Sequence, residues 1–196
     1  MSPKNEKQNK PKMKDLITAE LADTRVMIWD HEQGSKIYNS GFFGKPLGIR
    51  KPKGDIFDRP LELTLIEACY LLEQEKIIIH YQGSQEKVPL KKLQEKGKNA
   101  IHLFDEKMLI YKDIRKRGMV PRPGLKFGAD FAVYLQGPGL DHSPYVISAL
   151  PRGSELSAME LVRAGRLATS VRKKYVIATI PKSNQVRYYG FVWFKP

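Results

Sequence analysis

Three side-chain types that can together cut a phosphodiester occur in order in the second half of the sequence. They are Tyr134 at the end of FAVY, His142 in the loop GPGLDHSPY, and Lys173 in VRKKY. Cleaving RNA without a metal requires that the ribose 2′-OH lose a proton, that the 5′-oxygen leaving group gain one, and that the phosphorane-like transition state be stabilised. Histidine titrates nearest neutral pH and can give or take a proton. Lysine is a compact cation for a non-bridging oxygen, and tyrosine can act as a base where neighbouring cations lower its pKa. One positioned acid or base is worth about 10²- to 10⁴-fold in rate, so a few such groups suffice. Spacing alone does not single the trio out, because tyrosines and lysines are common and a loop histidine between strands is usually solvated.

The elements that must position the trio are regular. Asp105 is expected to cap a helix, EKMLIYKDIRKRG, that stops at Gly118 and carries Lys112, Arg115, Lys116 and Arg117 in its last turns, where the helix dipole favours cations. Pro and Gly turn signals in MVPRPGLKFGADFAVYLQ, followed by alternation through Phe131, Val133 and Leu135, predict a strand pair. PYVISAL reads as a further strand. Ser157 and Glu160 make a capping box for SAMELVRAGRLATS, and YVIATI and RYYGFVWFKP close as strands around PKSNQ. Two helices and about five strands give an α/β sandwich with a mainly antiparallel or mixed sheet over residues 104–196. The trio meets at one sheet end if the last strands return beside the first.

The first half predicts a smaller helix-and-sheet domain over residues 15–103, preceded by a Lys-rich tail, 1–14, without periodic apolar residues and so expected to be disordered. Asp58-Arg59-Pro60 reads as a helix start for PLELTLIEACYLLEQEK, with an apolar face at Leu63, Ile66, Cys69, Tyr70 and Leu72. KIIIHYQ reads as a strand whose His80 is packed or at the surface, and VPLKKLQEKG as a short helix closed by Gly97. The whole chain is thus α/β (α+β).

Composition restricts partners and compartment. Residues 107–196 carry 16 Lys and Arg against 5 acids, whereas residues 1–106 carry 18 against 16, so nearly all of the +13 net charge lies in the second half. That suits a polyanion, nucleic acid first. Cys69 is the only cysteine, which points to a reducing cytoplasm and leaves no Cys/His zinc cluster. No apolar stretch approaches a bilayer span and no secretory signal opens the chain. GPGLDH lacks the glycine spacing of a dinucleotide site and no P-loop occurs, so neither cofactor nor metal is expected.

The ordered motifs YKDIRKRGMVPRPGLKFGADFAVY, DHSPY and GRLATSVRKKYVIATI resemble the catalytic domain of the archaeal tRNA-splicing endonucleases. LTLIEACYLL resembles the helix of that family's N-terminal domain, so the likeness spans most of the chain beyond about residue 15. The resemblance implies an endoribonuclease that excises introns from precursor tRNA at a bulge-helix-bulge, without metal, leaving 2′,3′-cyclic phosphate and 5′-hydroxyl ends. It makes Tyr134 the general base, His142 the general acid and Lys173 the transition-state stabiliser; strand alternation turns the neighbouring Lys174 to the opposite face. It also implies that Arg166 and a second side chain, Arg187 in preference to Tyr188, sandwich a flipped bulge base.

Two features differ from the simplest family members. The loop PKSNQV between the last strands has no acid to insert into a neighbouring subunit. A non-catalytic paralogous subunit in an α2β2 heterotetramer is therefore expected to supply one, the alternative being a homo-oligomer, with the VWF aromatics in a dimer interface. The basic stretch NSGFFGKPLGIRKPKGD resembles the crenarchaeal type, and its Lys45, Arg50, Lys51 and Lys53 are expected to reach the RNA backbone. Two rivals remain: a metal-dependent nuclease using Asp130, which has no Glu-x-Lys partner at a fitting spacing, and a non-catalytic RNA-binding subunit.

Overall fold

Short runs rich in apolar residues build two five-stranded sheets, several of whose strands bury consecutive side chains. The computed structural model describes residues 16–49, 52, 54–181 and 185–191. The first sheet comprises β1 (Ile17–Ala22), β2 (Arg25–Ile28), β3 (Lys45–Pro46), β4 (Leu61–Leu63) and β5 (Ile77–Tyr81), in the spatial order β3-β4-β2-β1-β5. Helices α1 (His31–Asn39) and α2 (Leu65–Glu73) interrupt it, and α3 (Leu90–Ala100) and α4 (Phe104–Lys116) follow it. The second sheet comprises β6 (Val120–Pro123), β7 (Phe131–Tyr134), β8 (Tyr145–Leu150), β9 (Lys174–Thr179) and β10 (Arg187–Gly190), in the order β10-β9-β8-β7-β6, with α5 (Ala158–Ser170) between β8 and β9. Each sheet is mixed: β1 pairs in parallel with β5 and β8 with β9, while the other pairs are antiparallel. The predicted α/β class and the two helices and five strands of the second half therefore hold.

One core runs through both sheets. Ile28, Leu61, Leu71 and Ile79 from the first half join Val133, Ile147 and Ala178 from the second in a single buried cluster. The link is α4, whose Ile110, Tyr111 and Ile114 are buried and which packs on α2 and α3 on one side and on β6 and β8 on the other. Lys112, Arg115 and Arg117 have partners within the chain. Lys112 pairs with Glu73 at 2.6 Å and Arg117 with Asp113 at 2.6 Å, while Arg115 donates to the Gly41 carbonyl and stacks 4.0 Å from the Phe43 ring centre.

Several helix boundaries differ from those the sequence suggested. The helix does not start at Asp58-Arg59-Pro60: Leu61–Leu63 form β4, and Thr64 caps α2 in a capping box with Glu67. Leu63 accordingly belongs to the sheet, and α2 buries Leu65, Ile66, Glu67, Ala68, Cys69 and Leu71 rather than one stripe. Gly97 does not close α3, which runs on to Ala100; a Cβ there would stand 2.3 Å from the Phe104 ring, so this glycine serves close packing. Nor does Asp105 cap α4, whose N-cap is Leu103 in the left-handed conformation, leaving Asp105 in the first turn beside the positive helix end. Lys173 precedes β9, which starts at Lys174. The tail 1–14 and the VWF aromatics lie outside the described residues.

Candidate active site

Strand pairing explains why Tyr134, His142 and Lys173 share one end of the second sheet. β7 runs antiparallel to β8, so the end of β7, at Tyr134, lies beside the start of β8. β8 pairs in parallel with β9 in a register that sets Tyr145 against Lys174, so both strands start at that same end. The residues just before each start are then neighbours: the Lys174 N–H donates to the Pro144 carbonyl at 2.8 Å, and the Lys173 ammonium donates to both the carbonyl and Oγ of buried Ser143 at 2.6 Å. Helix α5 makes the crossover. It ends with Arg172 in the left-handed conformation and the Lys173 N–H on the Ala168 carbonyl at 2.7 Å, a Schellman-type stop that delivers Lys173 to that end of the sheet.

The loop from Leu135 to Pro144 is held by Asp141. Its carboxylate accepts the backbone N–H groups of Leu135, Gln136 and Gly137 at 2.9, 3.2 and 2.9 Å. Burial works against its charge, but these N–H donors and neighbouring His142 outweigh it and hold the carboxyl below its ordinary pKa. A second constraint comes from the first half of the chain. Gly137 has φ of 151°, and a Cβ there would stand 2.3 Å from the ring of Phe42. Only a glycine lets that ring support the loop.

Tyr134, His142 and Lys173 line one cavity of about 420 Å³. His142 is exposed at its mouth, while Tyr134 and Lys173 are partly buried. Burial first, and the Lys126 ammonium second, lower the Lys173 pKa from that of an ordinary lysine. Lys174 lies outside this cavity and lines an apolar one on the other side of Lys173. Tyr38, Lys126, Phe127 and Ser143, which the sequence did not single out, also line this cavity. Tyr38 comes from α1 of the first half, braced edge-on by Phe42 and Phe57 at centroid distances of 5.6 and 5.9 Å. Burial raises its pKa, Arg122 opposes that, and the nearby Tyr134 phenol adds to it. Local periodicity carries no signal for such a contact.

Residues 104–188 match the family described as tRNA intron endonuclease, catalytic C-terminal domain, and residues 17–89 match the tRNA intron endonuclease N-terminal domain. The chain is 42% identical over 182 residues to a tRNA-splicing endonuclease of Hyperthermus butylicus, with 92% of this chain and 100% of the relative covered. Proteins of the same name from Saccharolobus islandicus (strain M.14.25) and Saccharolobus solfataricus are 43% and 40% identical over 184 residues, again covering 92% and 100%. The chain belongs to the tRNA intron endonuclease family. It is an endonuclease, and the three side chains that converge on the cavity lie in the half that matches the family's catalytic domain.

In this tRNA intron endonuclease, Arg166, Arg187, Tyr188 and Lys45 do not line the cavity that Tyr134, His142 and Lys173 share. Arg166 on α5 and Arg187 at the start of β10 are both exposed and do not line it. Tyr188 is engaged: its hydroxyl donates to Asp113 at 2.8 Å, and the Arg117 guanidinium lies 5.4 Å from its ring centre. Lys45 is exposed on β3 and lines an adjoining cavity of about 530 Å³ between the two halves. Arg50, Lys51 and Lys53 lie outside the described residues. Asp130 is bound to structural partners, Lys107 at 2.7 Å and the Ala149 N–H at 2.7 Å. Among the described residues no three His, Cys, Asp or Glu side chains gather as a metal-binding group, and no helix is long and apolar enough to cross a membrane.

Proposed function

We propose that this chain removes introns from precursor tRNA by metal-independent cleavage at bulge-helix-bulge sites, with Tyr134, His142 and Lys173 as the reacting groups. The observation that carries this reading is their convergence on one cavity. Tyr134 takes the proton of the ribose 2′-OH, whose oxygen attacks the adjacent phosphorus. The bond from phosphorus to the 5′-oxygen breaks, and exposed His142 gives that oxygen its proton. The Lys173 ammonium spends two of its three N–H donors on Ser143 and keeps the third for a non-bridging oxygen. The products are a 2′,3′-cyclic phosphate and a 5′-hydroxyl, so the step is an intramolecular transesterification of the lyase kind.

Arg166 and Arg187, both exposed, stack on a flipped bulge base; the Tyr188 hydroxyl bond to Asp113 favours Arg187 over Tyr188 for that task. Lys45, with Arg50, Lys51 and Lys53, contacts the RNA backbone. The acid-free PKSNQV loop, of which residues 182–184 lie outside the described ones, supports a non-catalytic paralogue as partner in an α2β2 assembly. Tyr189 and Phe191 of the closing strand, each 48% exposed, offer apolar surface for an interface. We place the enzyme in the cytoplasm. The test is to mix the chain with bulge-helix-bulge RNA, with and without a candidate partner, and to follow cleavage and complex mass. His142→Ala is expected to bind the RNA and not cut it; normal cutting by that variant contradicts the assignment.

A further inference from the structure

Lys126 is unused by the chemistry above, yet its position differs from that of an ordinary surface lysine. Its ammonium lies 4.7 Å from the centre of the Phe127 ring, and the Lys173 ammonium lies 4.7 Å from the same centre. The two cations therefore share one aromatic platform and cannot be farther apart than twice that distance. Among the described residues neither has a carboxylate within ion-pair range. Asp141, the acid of the catalytic cavity, has both oxygens committed to backbone N–H groups. A pair of uncompensated cations at such range lacks an anion.

Lys126 also stands where two cavities meet. It lines the catalytic cavity and the adjoining one between the halves, together with Tyr38 and Tyr134, whereas His142 and Lys173 line only the first of these two. Its support is fixed: the 3₁₀ turn Leu125–Phe127 is closed by the Phe127 N–H on the Gly124 carbonyl at 2.8 Å and tied to β7 by the Gly124 N–H on the Asp130 carbonyl at 2.9 Å. β7 is the strand that carries Tyr134, so the cation and the base share a rigid element.

We propose that Lys126 is a second substrate-binding cation, which takes the phosphate next to the scissile one as the RNA strand leaves the catalytic cavity for the cleft between the halves. The assignment rests on the reading of Tyr134, His142 and Lys173 as the RNA-cutting groups. The lowered pKa of Lys173, due first to burial and then to Lys126, agrees with two ammoniums this close and no anion between them. Tyr38, braced by two aromatic rings, forms the facing wall.

The test uses the full chain in its cleaving assembly and precursor tRNA carrying a 2′-deoxy ribose at the cut site, so that binding is measured without reaction. Lys126→Ala is expected to weaken binding about 3- to 10-fold and to reduce the slope of log K against log salt by roughly 0.7 to 0.9, the value of one phosphate contact. Lys126→Arg restores both, and at saturating natural RNA Lys126→Ala lowers the single-turnover rate far less than Lys173→Ala does. Unchanged affinity and slope in Lys126→Ala, in a protein of unchanged melting temperature, overturn the proposal. So does a saturated rate that falls as far as in Lys173→Ala with affinity intact, which puts Lys126 on the scissile phosphate itself. If the unsubstituted enzyme cuts the 2′-deoxy RNA, the triad's chemistry fails and this assignment with it.

Discussion

His142 and Asp141 are adjacent in sequence and opposite in circumstance: the imidazole is exposed at the mouth of the cavity, while the carboxylate is consumed by three backbone N–H groups. On the proposed mechanism the first reacts and the second positions. Replacing His142 or Lys173 with alanine is expected to lower the single-turnover rate about 10²- to 10⁴-fold with RNA affinity within a few-fold of wild type. Asp141→Asn leaves the reacting groups in place but loses the charged acceptor, so cleavage is expected to fall about 10- to 100-fold through misplacement of His142. The pH dependence of stability separates the two effects. The Asp141 carboxyl is held below its unfolded pKa, so its contribution is complete above that ordinary carboxylate value and disappears as pH falls through the depressed one. Asp141→Asn should lower the melting temperature at neutral pH and match wild type in strong acid; an equal deficit at both contradicts the role.

At the scale of elements, the end of the second sheet where Tyr134, His142 and Lys173 meet was legible because each signal there is local. Short apolar runs bounded by turn signals mark β7, β8 and β9, the Ser157–Glu160 box starts α5, and the parallel pairing then brings Lys173 to Ser143. The first half was less so. LEL and the start of α2 form one apolar run that periodicity does not divide, although TLIE already holds the capping box that sets the boundary at Thr64. Contacts far apart in sequence left no mark at all, and Phe42 against Gly137 is the clearest of these. Gly137→Ala is expected to cost about 1–3 kcal/mol from overpacking and to lower cleavage about 100-fold by shifting the His142 loop. Phe42→Ala in the same chain relieves the clash, so denaturant titration of the double-mutant cycle should show a favourable coupling of about 0.5–3 kcal/mol. Additive losses would mean the ring does not support the loop.

For the whole molecule, a buried ion pair joins the two halves. Arg122 on β6 meets Glu67 on α2 at 3.1 Å, with side chains 15% and 3% exposed, and also donates to the carbonyls of Phe42 and Gly44. Glu67 in turn accepts the Gly44 N–H and completes the α2 cap. Arg122→Met strands the Glu67 charge and is expected to cost about 3–5 kcal/mol in chemical denaturation; a loss under 1 kcal/mol would mean the junction is solvated. Through that junction the half that matches the family's N-terminal domain supplies Tyr38 and Phe42 to the catalytic end of the other, which no motif in either half announces. Attack by the 2′-oxygen driven by three protein side chains and no metal is tested most directly by the termini of the products formed from precursor tRNA in excess EDTA. Undiminished cleavage to a 2′,3′-cyclic phosphate and a 5′-hydroxyl is the predicted result, and a 3′-hydroxyl with a 5′-phosphate, or no cleavage until a divalent metal is restored, would contradict it.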